Sequence, residues 1–315
     1  MSAAVQPARP QFAPTASQLA VAYSVCRHIT RSAAKNFYYA FLVLPAPKRR
    51  ALCAVYAFMR RCDDIADDAS ASLPERRQRL HAALNALHRA QQGEPTDDAV
   101  LLALTDTQRR FQVPAELLDQ LAQGTLMDVE EVPAAGEPGM EPGALTVHYQ
   151  TFADLAQYCY RVASVVGLVC IRIFGYRDNR AESLAVQLGL AFQLTNIIRD
   201  VKEDVEMGRV YLPERDLAAF SLGVCDLRPV TGGKRLAPLL AMEAERARQF
   251  YRAGDELIPL ISEDSRPALW VLITIYRRLL DTIAGKQYDV FQGKIRLTTF
   301  EKLTVLSRGF LKRLA

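Results

Sequence analysis

The chain has 315 residues, of which 50% are hydrophobic, and 39 basic against 35 acidic side chains leave a formal charge of +4. That length and apolar content support a sizeable core in one large or two small domains, while so mild a charge, with no dense Lys/Arg block, excludes a nucleic-acid partner. Cys26, Cys53, Cys62, Cys159, Cys170 and Cys225 form no C-x-x-C pair, so they read as thiols kept reduced rather than as zinc ligands.

Residues 1–16 are Pro/Ala-rich and lack the apolar segment of a secretory signal. They read as a disordered arm ahead of a single all-helical domain over residues 17–315. Ser17 to Arg31 is helical in pattern. Phe37, Tyr38, Tyr39, Phe41 and Leu42 then form a dense aromatic segment that Pro45 and Pro47 end. A long helix follows over 48–69. Ser72, Pro74 and Glu75 mark the start of the next, with a capping box, and it runs to about Gln91. His81 and His88 lie on it in charged surroundings and carry no chemistry. Residues 97–111 and 114–130 read as two further helices, and Asp128, Glu130 and Glu131 close the second. The Pro/Gly-rich 132–147 stretch is loop. Residues 158–176 mix β-branched residues, which favour a strand, with Ala163, Ser164 and Gly167, which favour close helix packing; the helical surroundings decide for helix. A helix through 191–206 is followed by a turn into a short helix, a loop over 221–235, helices over 236–260 and 266–286, and a last helix over 299–311 with a basic end at Arg308, Lys312 and Arg313. Gly232-Gly233-Lys234 lacks phosphate-loop spacing. No apolar run reaches the roughly 18 residues of a spanning helix, so the protein is expected in the cytoplasm, with peripheral contact at the inner membrane face left open.

Two helices carry the chemistry. In the later one, Leu194, Ile197, Ile198, Val201 and Val205 form a buried stripe, while Asn196, Asp200 and Asp204 fall four apart on another face beside Arg199 and Glu203. In the earlier one, Tyr56, Arg60, Asp63 and Asp67 share a face opposite a core stripe of Leu52, Val55, Met59, Cys62 and Ala66. Carboxylates one turn apart repel unless a cation shares them. A hard divalent ion such as Mg²⁺ takes oxygen ligands together with substrate phosphates. One such face could be plain solvated surface. Two, each beside an arginine, point to inward carboxylates of a helical bundle that hold a diphosphate leaving group, with aromatic faces near a carbocation.

The segments NFYYAFLVLP, YAFMRRCDDIADD, YCYRVASVVG, QLTNIIRDVKED and GRVYLP resemble, in order, those of the squalene/phytoene synthase family of head-to-head prenyl transferases. The resemblance implies an all-α isoprenoid synthase (class I terpenoid synthase) bundle with a central cavity. It implies two or three Mg²⁺ ions, with Asp63 and Asp67 as the first metal motif and Asn196, Asp200 and Asp204 as the second. Lys35, Arg60, Arg199 and Arg209 would hold diphosphate. Tyr56, Tyr158, Gln193 and Tyr276 would line the reaction site with the carboxylates, and Phe37, Val162, Ala163, Val166 and Gly167 the chain tunnel. The sequence departs from the pattern at Ala33 and Ala34, where some members carry polar residues, and at Arg161, where members often carry a small one.

AKNFYYAFLVLP and FMRRCDDIADD look closest to bacterial presqualene diphosphate synthases. The expectation is therefore condensation of two farnesyl diphosphates to presqualene diphosphate, a hopanoid precursor. The alternative is phytoene synthase acting on two geranylgeranyl diphosphates through prephytoene diphosphate. No nicotinamide motif is present, other isoprenoid enzymes are the expected partners, and a cyclising terpene synthase or a silent helical scaffold are the remaining readings.

Overall fold

The computed structural model describes residues 14–33, 37–130, 145–227 and 229–314. The polypeptide forms α1 (Ala16–Ala33), α2 (Phe37–Leu42), α3 (Ala46–Ala66), α4 (Leu73–Gln91), α5 (Ala99–Phe111), α6 (Ala115–Glu130) and β1 (Thr146–Val147). It continues through α7 (Phe152–Cys159), a π-helical turn (Tyr160–Ser164), α8 (Val165–Phe174), α9 (Arg180–Glu206), β2 (Arg209–Val210), α10 (Glu214–Ala219), α11 (Pro229–Leu257), α12 (Arg266–Gly285) and α13 (Thr299–Leu314). The all-α expectation holds. Most of the arm, Lys35, Asn36 and nearly all of the 132–147 loop lie outside the described residues, as do the side chains of Asp128 and Glu130 and the whole of Glu131.

Local chemistry sets the helix starts. Pro45 precedes α3 and Pro47 sits in its first turn, where no N–H is needed. The Ser72 N–H and hydroxyl both donate to the Glu75 carboxylate at 2.8 Å. Asp98 caps α5 by accepting from the N–H groups of Val100 and Leu101 at 2.9 and 3.2 Å, and the same carboxylate takes two bonds from Arg61, tying α5 to α3. Two details differ from the sequence reading. The 221–235 stretch contains a 3₁₀ turn at Val224–Leu227, and α11 already begins at Pro229, a residue suited to a first helical position. Among the described residues the strands number two. They pair in parallel, Thr146 with Arg209 and Val147 with Val210.

Helix direction is what places the site. The Lys48 ammonium, on the first turn of α3, donates to the Phe174 carbonyl at 2.7 Å, to Asp264 at 2.6 Å and to the Ser265 hydroxyl at 3.0 Å. The starts of α3 and α12 and the end of α8 therefore meet at one floor, reinforced by the antiparallel bridge between Tyr176 and Ile261. α8 runs antiparallel to α9. A Cβ on Gly189 would lie 2.6 Å from the Ser164 Cα, and one on Gly167 would lie 3.0 Å from the Ala185 carbonyl oxygen. α12 runs alongside α9 in the same sense. Tyr276 and Phe192 have ring centroids 4.5 Å apart, and Ile273 and Leu188 converge on Gly254. So α3, α9 and α12 all rise from the floor, and their later residues face the opposite end.

From Phe152 to Phe174 the helix is continuous through the π turn, and by length and composition it could cross a membrane. This corrects the expectation that no such segment exists. In the fold it is a central element, with Val165, Val169, Ile171, Ile173 and Phe174 buried against its neighbours.

Candidate active site

An apolar cavity occupies the space between α2, α3, α8, α9 and α12. Val162, Ala163, Val166, Gly167, Cys170, Ile171 and Phe174 wall one side. Their spacing of one, three, one and three is that of a single helical face. Ala185, Leu188, Gly189, Phe192, Gln193 and Asn196 form the facing wall on α9, and Leu269, Leu272 and Tyr276 a third on α12. Leu52, Val55, Tyr56 and Met59 contribute from α3. The stripe on α3 expected to be core is buried at Leu52, Val55, Cys62 and Ala66, and its Leu52, Val55 and Met59 also line the cavity. Phe37 joins the wall with its ring 5.8 Å from that of Tyr276. The wall runs from Val162 to Phe174, roughly 18 Å at helical rise.

Polar groups gather at the end away from the floor. Beyond Tyr56 and Met59, α3 continues to Asp63 and then to Asp67, whose N–H closes the helix on the Asp63 carbonyl at 2.8 Å. Beyond Gln193 and Asn196, α9 continues to Asp200 and Asp204. Since both helices rise from the same floor, both acid series arrive at the same mouth. Arg60 pairs with Asp64, one turn along its own helix. Arg199 pairs with its neighbour Asp200, and Lys294, from the segment after α12, reaches Asp200 at 3.2 Å and Glu203 at 3.3 Å. The Asn196 side-chain N–H₂ donates to Gln193 Oε1 at 3.3 Å, while its carbonyl oxygen is buried without a partner.

The charges at the mouth are strongly coupled. Burial would raise the Asp200 carboxyl, but the hydrogen bonds and charges of Arg199 and Lys294 outweigh it and hold Asp200 below the ordinary carboxylate range. Asp204, one turn on, is pushed up to about 7 by burial and then by the charge of Asp200. Burial raises the Tyr56 and Tyr276 phenols.

Of the residues singled out in the sequence, Phe37, Tyr56, Val162, Ala163, Val166, Gly167, Gln193, Asn196 and Tyr276 share the cavity wall. Asp63, Asp67, Asp200, Asp204, Arg60 and Arg199 stand beyond it on the same helices. Tyr158 is elsewhere. It is buried in a stack with Tyr149 and Tyr211, centroids 5.5 and 5.1 Å away. Arg209 lies in β2, close enough for its charge to act on Asp204. Lys35 is outside the described residues. Sequence reasoning missed Phe192, although continuing the Asn196, Asp200, Asp204 spacing one step back lands on it. It also missed Lys294, which sits outside any periodic pattern.

An all-α bundle that walls an apolar tunnel and brings two acid series to its mouth defines the class of isoprenoid synthases. A sequence profile of the squalene/phytoene synthase family matches residues 30–301, and the chain belongs to that family of prenyltransferases. It is 34% identical over 322 residues to a 15-cis-phytoene synthase of Synechococcus elongatus, covering 97% of each chain. It is 36% identical over 295 residues to a phytoene synthase of Mycobacterium bovis, covering 92% of this chain and 90% of that one. The crystal structure of a dehydrosqualene synthase in complex with ligand superposes with a TM-score of 0.80 at 29% identity, covering 93% and 96% of the two chains.

These relatives overturn the expectation of a presqualene diphosphate synthase acting on farnesyl diphosphate. Curated relatives at 31% to 36% identity carry phytoene synthase names. The reason is physical. Of the segments on which the expectation rested, FMRRCDDIADD runs to the polar end of the cavity, away from the apolar walls nearer the floor.

Proposed function

We propose that this chain condenses two geranylgeranyl diphosphates head to head, through prephytoene diphosphate, to phytoene. The observation that carries this reading is the length of the apolar wall. Three extended bonds span about 3.8 Å, so a four-bond isoprene unit spans roughly 5 Å. With its first unit reacting at the mouth, a C20 chain leaves three units, roughly 15 Å, for a wall of roughly 18 Å. A C15 chain would leave roughly 8 Å of it, nearly half, empty.

The residues at the mouth fit Mg²⁺. The Asn196 oxygen is a buried acceptor without a partner, and Asp204 is raised by burial and by the charge of Asp200, which a bound cation would offset. Among the described residues no three His, Cys, Asp or Glu side chains are gathered tightly enough to hold an ion alone. A bound Mg²⁺ would need phosphate oxygens to complete its ligands. Asp63 and Asp67 would hold it on one side, Asn196, Asp200 and Asp204 on the other. When bound, Mg²⁺ would supply Lewis-acid neutralisation of the departing diphosphate.

The protein's own groups do the rest. Arg60, Arg199 and Lys294 are placed to give charge-assisted hydrogen bonds to diphosphate oxygens, in exchange for the carboxylates they now hold. The C1–O bond of one substrate breaks and its electron pair leaves with the diphosphate. The double bond of the second substrate attacks the allylic cation, and loss of a proton closes the cyclopropane. Phe37, Phe192 and Tyr276 present ring faces to that cation, and the apolar wall keeps water from capturing it. Loss of the second diphosphate and of a further proton then gives the hydrocarbon. The test is incubation of the purified chain with C15 and C20 diphosphates and Mg²⁺, with and without reductant, and mass analysis of the product. A C40 hydrocarbon formed without reductant is expected. A C30 product in preference to it overturns the reading.

A further inference from the structure

The outer face of α13 breaks the rule for a surface helix. Its inner face is seated on α2 and α12: Val305 and Leu306 are buried, and a Cβ on Gly309 would lie 2.3 Å from Val271 Cγ2. A helix packed by one face should be polar on the other. Instead Phe300 is 79% exposed, Leu303 49%, Phe310 39% and Leu311 65%. At 3.6 residues per turn these four fall within a sector of roughly 100° opposite the seat. Val21, Val25, Met207 and Phe220, the other exposed large apolar residues, lie on other elements. Exposed Arg308 and Lys312 follow on one side of the stripe, Lys312 nearer the seat and over the Trp270 ring at 5.0 Å from its centroid. The helix has one acid, Glu301, and its carboxylate is taken by the N–H and hydroxyl of Thr298, both at 2.7 Å.

We propose that this face docks on an anionic lipid bilayer. Apolar side chains bordered by cations on one helix match the acyl boundary and the negative headgroups above it. A second copy fits less well. A two-fold contact would set Arg308 and Lys312 against their own equivalents with no acid between them. The placement also brings the bilayer close to the tunnel. α12 presents Val271 to α13 and Leu269, Leu272 and Tyr276 to the cavity, so one helix separates the lipid from the chain-binding wall. The inference does not depend on which prenyl chain the tunnel accepts.

The test is co-sedimentation of the full chain with phosphatidylcholine vesicles, with and without phosphatidylglycerol. Wild type should partition onto the phosphatidylglycerol vesicles. The double variant Phe300→Ser, Leu311→Ser should lose at least about tenfold in partitioning while keeping the wild-type melting temperature and its turnover of detergent-dispersed substrate. Arg308→Gln with Lys312→Gln should lose the preference for phosphatidylglycerol. Equal partitioning of wild type and the serine double variant overturns the proposal. So does a wild-type dimer that the serine variant dissociates, if wild type leaves the vesicles unbound.

Discussion

Cys170 offers a direct test of the tunnel. It lies eight residues beyond Val162 on the same helical face, roughly 12 Å from the mouth, against roughly 18 Å for Phe174. A phenylalanine there would end the tunnel roughly 6 Å early, slightly more than one isoprene unit at roughly 5 Å. Of the roughly 15 Å that a C20 chain needs, about 3 Å would then be lost, so about two to three carbons stay unburied. At about 0.8 kcal/mol per carbon this amounts to roughly 2 kcal/mol, or about thirtyfold in relative kcat/KM. Cys170→Phe should therefore shift preference from C20 towards C15 diphosphates by at least about tenfold. Cys170→Ser should leave the preference unchanged. The assay is competition between the two substrates with the products resolved by mass. Retained C15 turnover shows that the variant is folded. A phenylalanine variant that melts like wild type and keeps the wild-type preference would refute the assignment of α8 as the measuring wall.

Three further expectations concern other parts of the molecule. Asp63→Ala and Asp200→Ala should each abolish turnover, and the second should lower the melting point, because it leaves the mostly buried Arg199 without its partner. That loss is about 1–3 kcal/mol by calorimetry, and wild-type rates in either variant would sink the metal assignment. Gly189→Ala forces a methyl group against Ser164 and Ala163 backbone atoms 2.6 to 2.9 Å away. It should destabilise by about 1–3 kcal/mol, whereas Gly285→Ala, with nothing within 4 Å, should be near neutral in the same melts. Glu243, 1% exposed, has one oxygen bonded to Arg246 at 2.8 Å and the other without a partner. Burial pushes its pKa up from the usual 4.5 to about 7. The folded state thus keeps a proton that the unfolded chain releases. This group's contribution to stability falls as pH rises from 4.5 to about 7 and is level above that, by roughly 3 kcal/mol in all. Glu243→Gln should flatten that decline in melting temperature, and an unchanged slope would count against the buried proton.

The parts of the site that could be read from the sequence are those carried by regular helices. Asn196, Asp200 and Asp204 declare a face by spacing alone, while Val162, Ala163, Val166 and Gly167 were placed through the family resemblance. What escaped was non-periodic. The π turn at Tyr160–Ser164 has no compositional mark, yet it shifts the register between α7 and α8. Tyr158, four residues before Val162, therefore leaves the tunnel side and stacks with Tyr149 and Tyr211. Lys294 reaches Asp200 from an irregular segment, and two-residue strands such as β1 and β2 are too short to show a period. Substrate length was misjudged for a related reason. The eye-catching acidic motifs sit at the polar end of the cavity, whereas on the proposed reading the hydrocarbon meets unremarkable aliphatic positions lower down.

The bonds of Lys48 to Phe174, Asp264 and Ser265 lock the bottom ends of three helices together. With the base immobile, sliding helices cannot lengthen or shorten the hollow. On the proposed reading, product size then becomes a matter of stature at single rungs, with the first bulky residue on α8 as the stop on a fixed ruler. Related enzymes could thus change their product by one substitution while leaving their chemistry at the rim untouched.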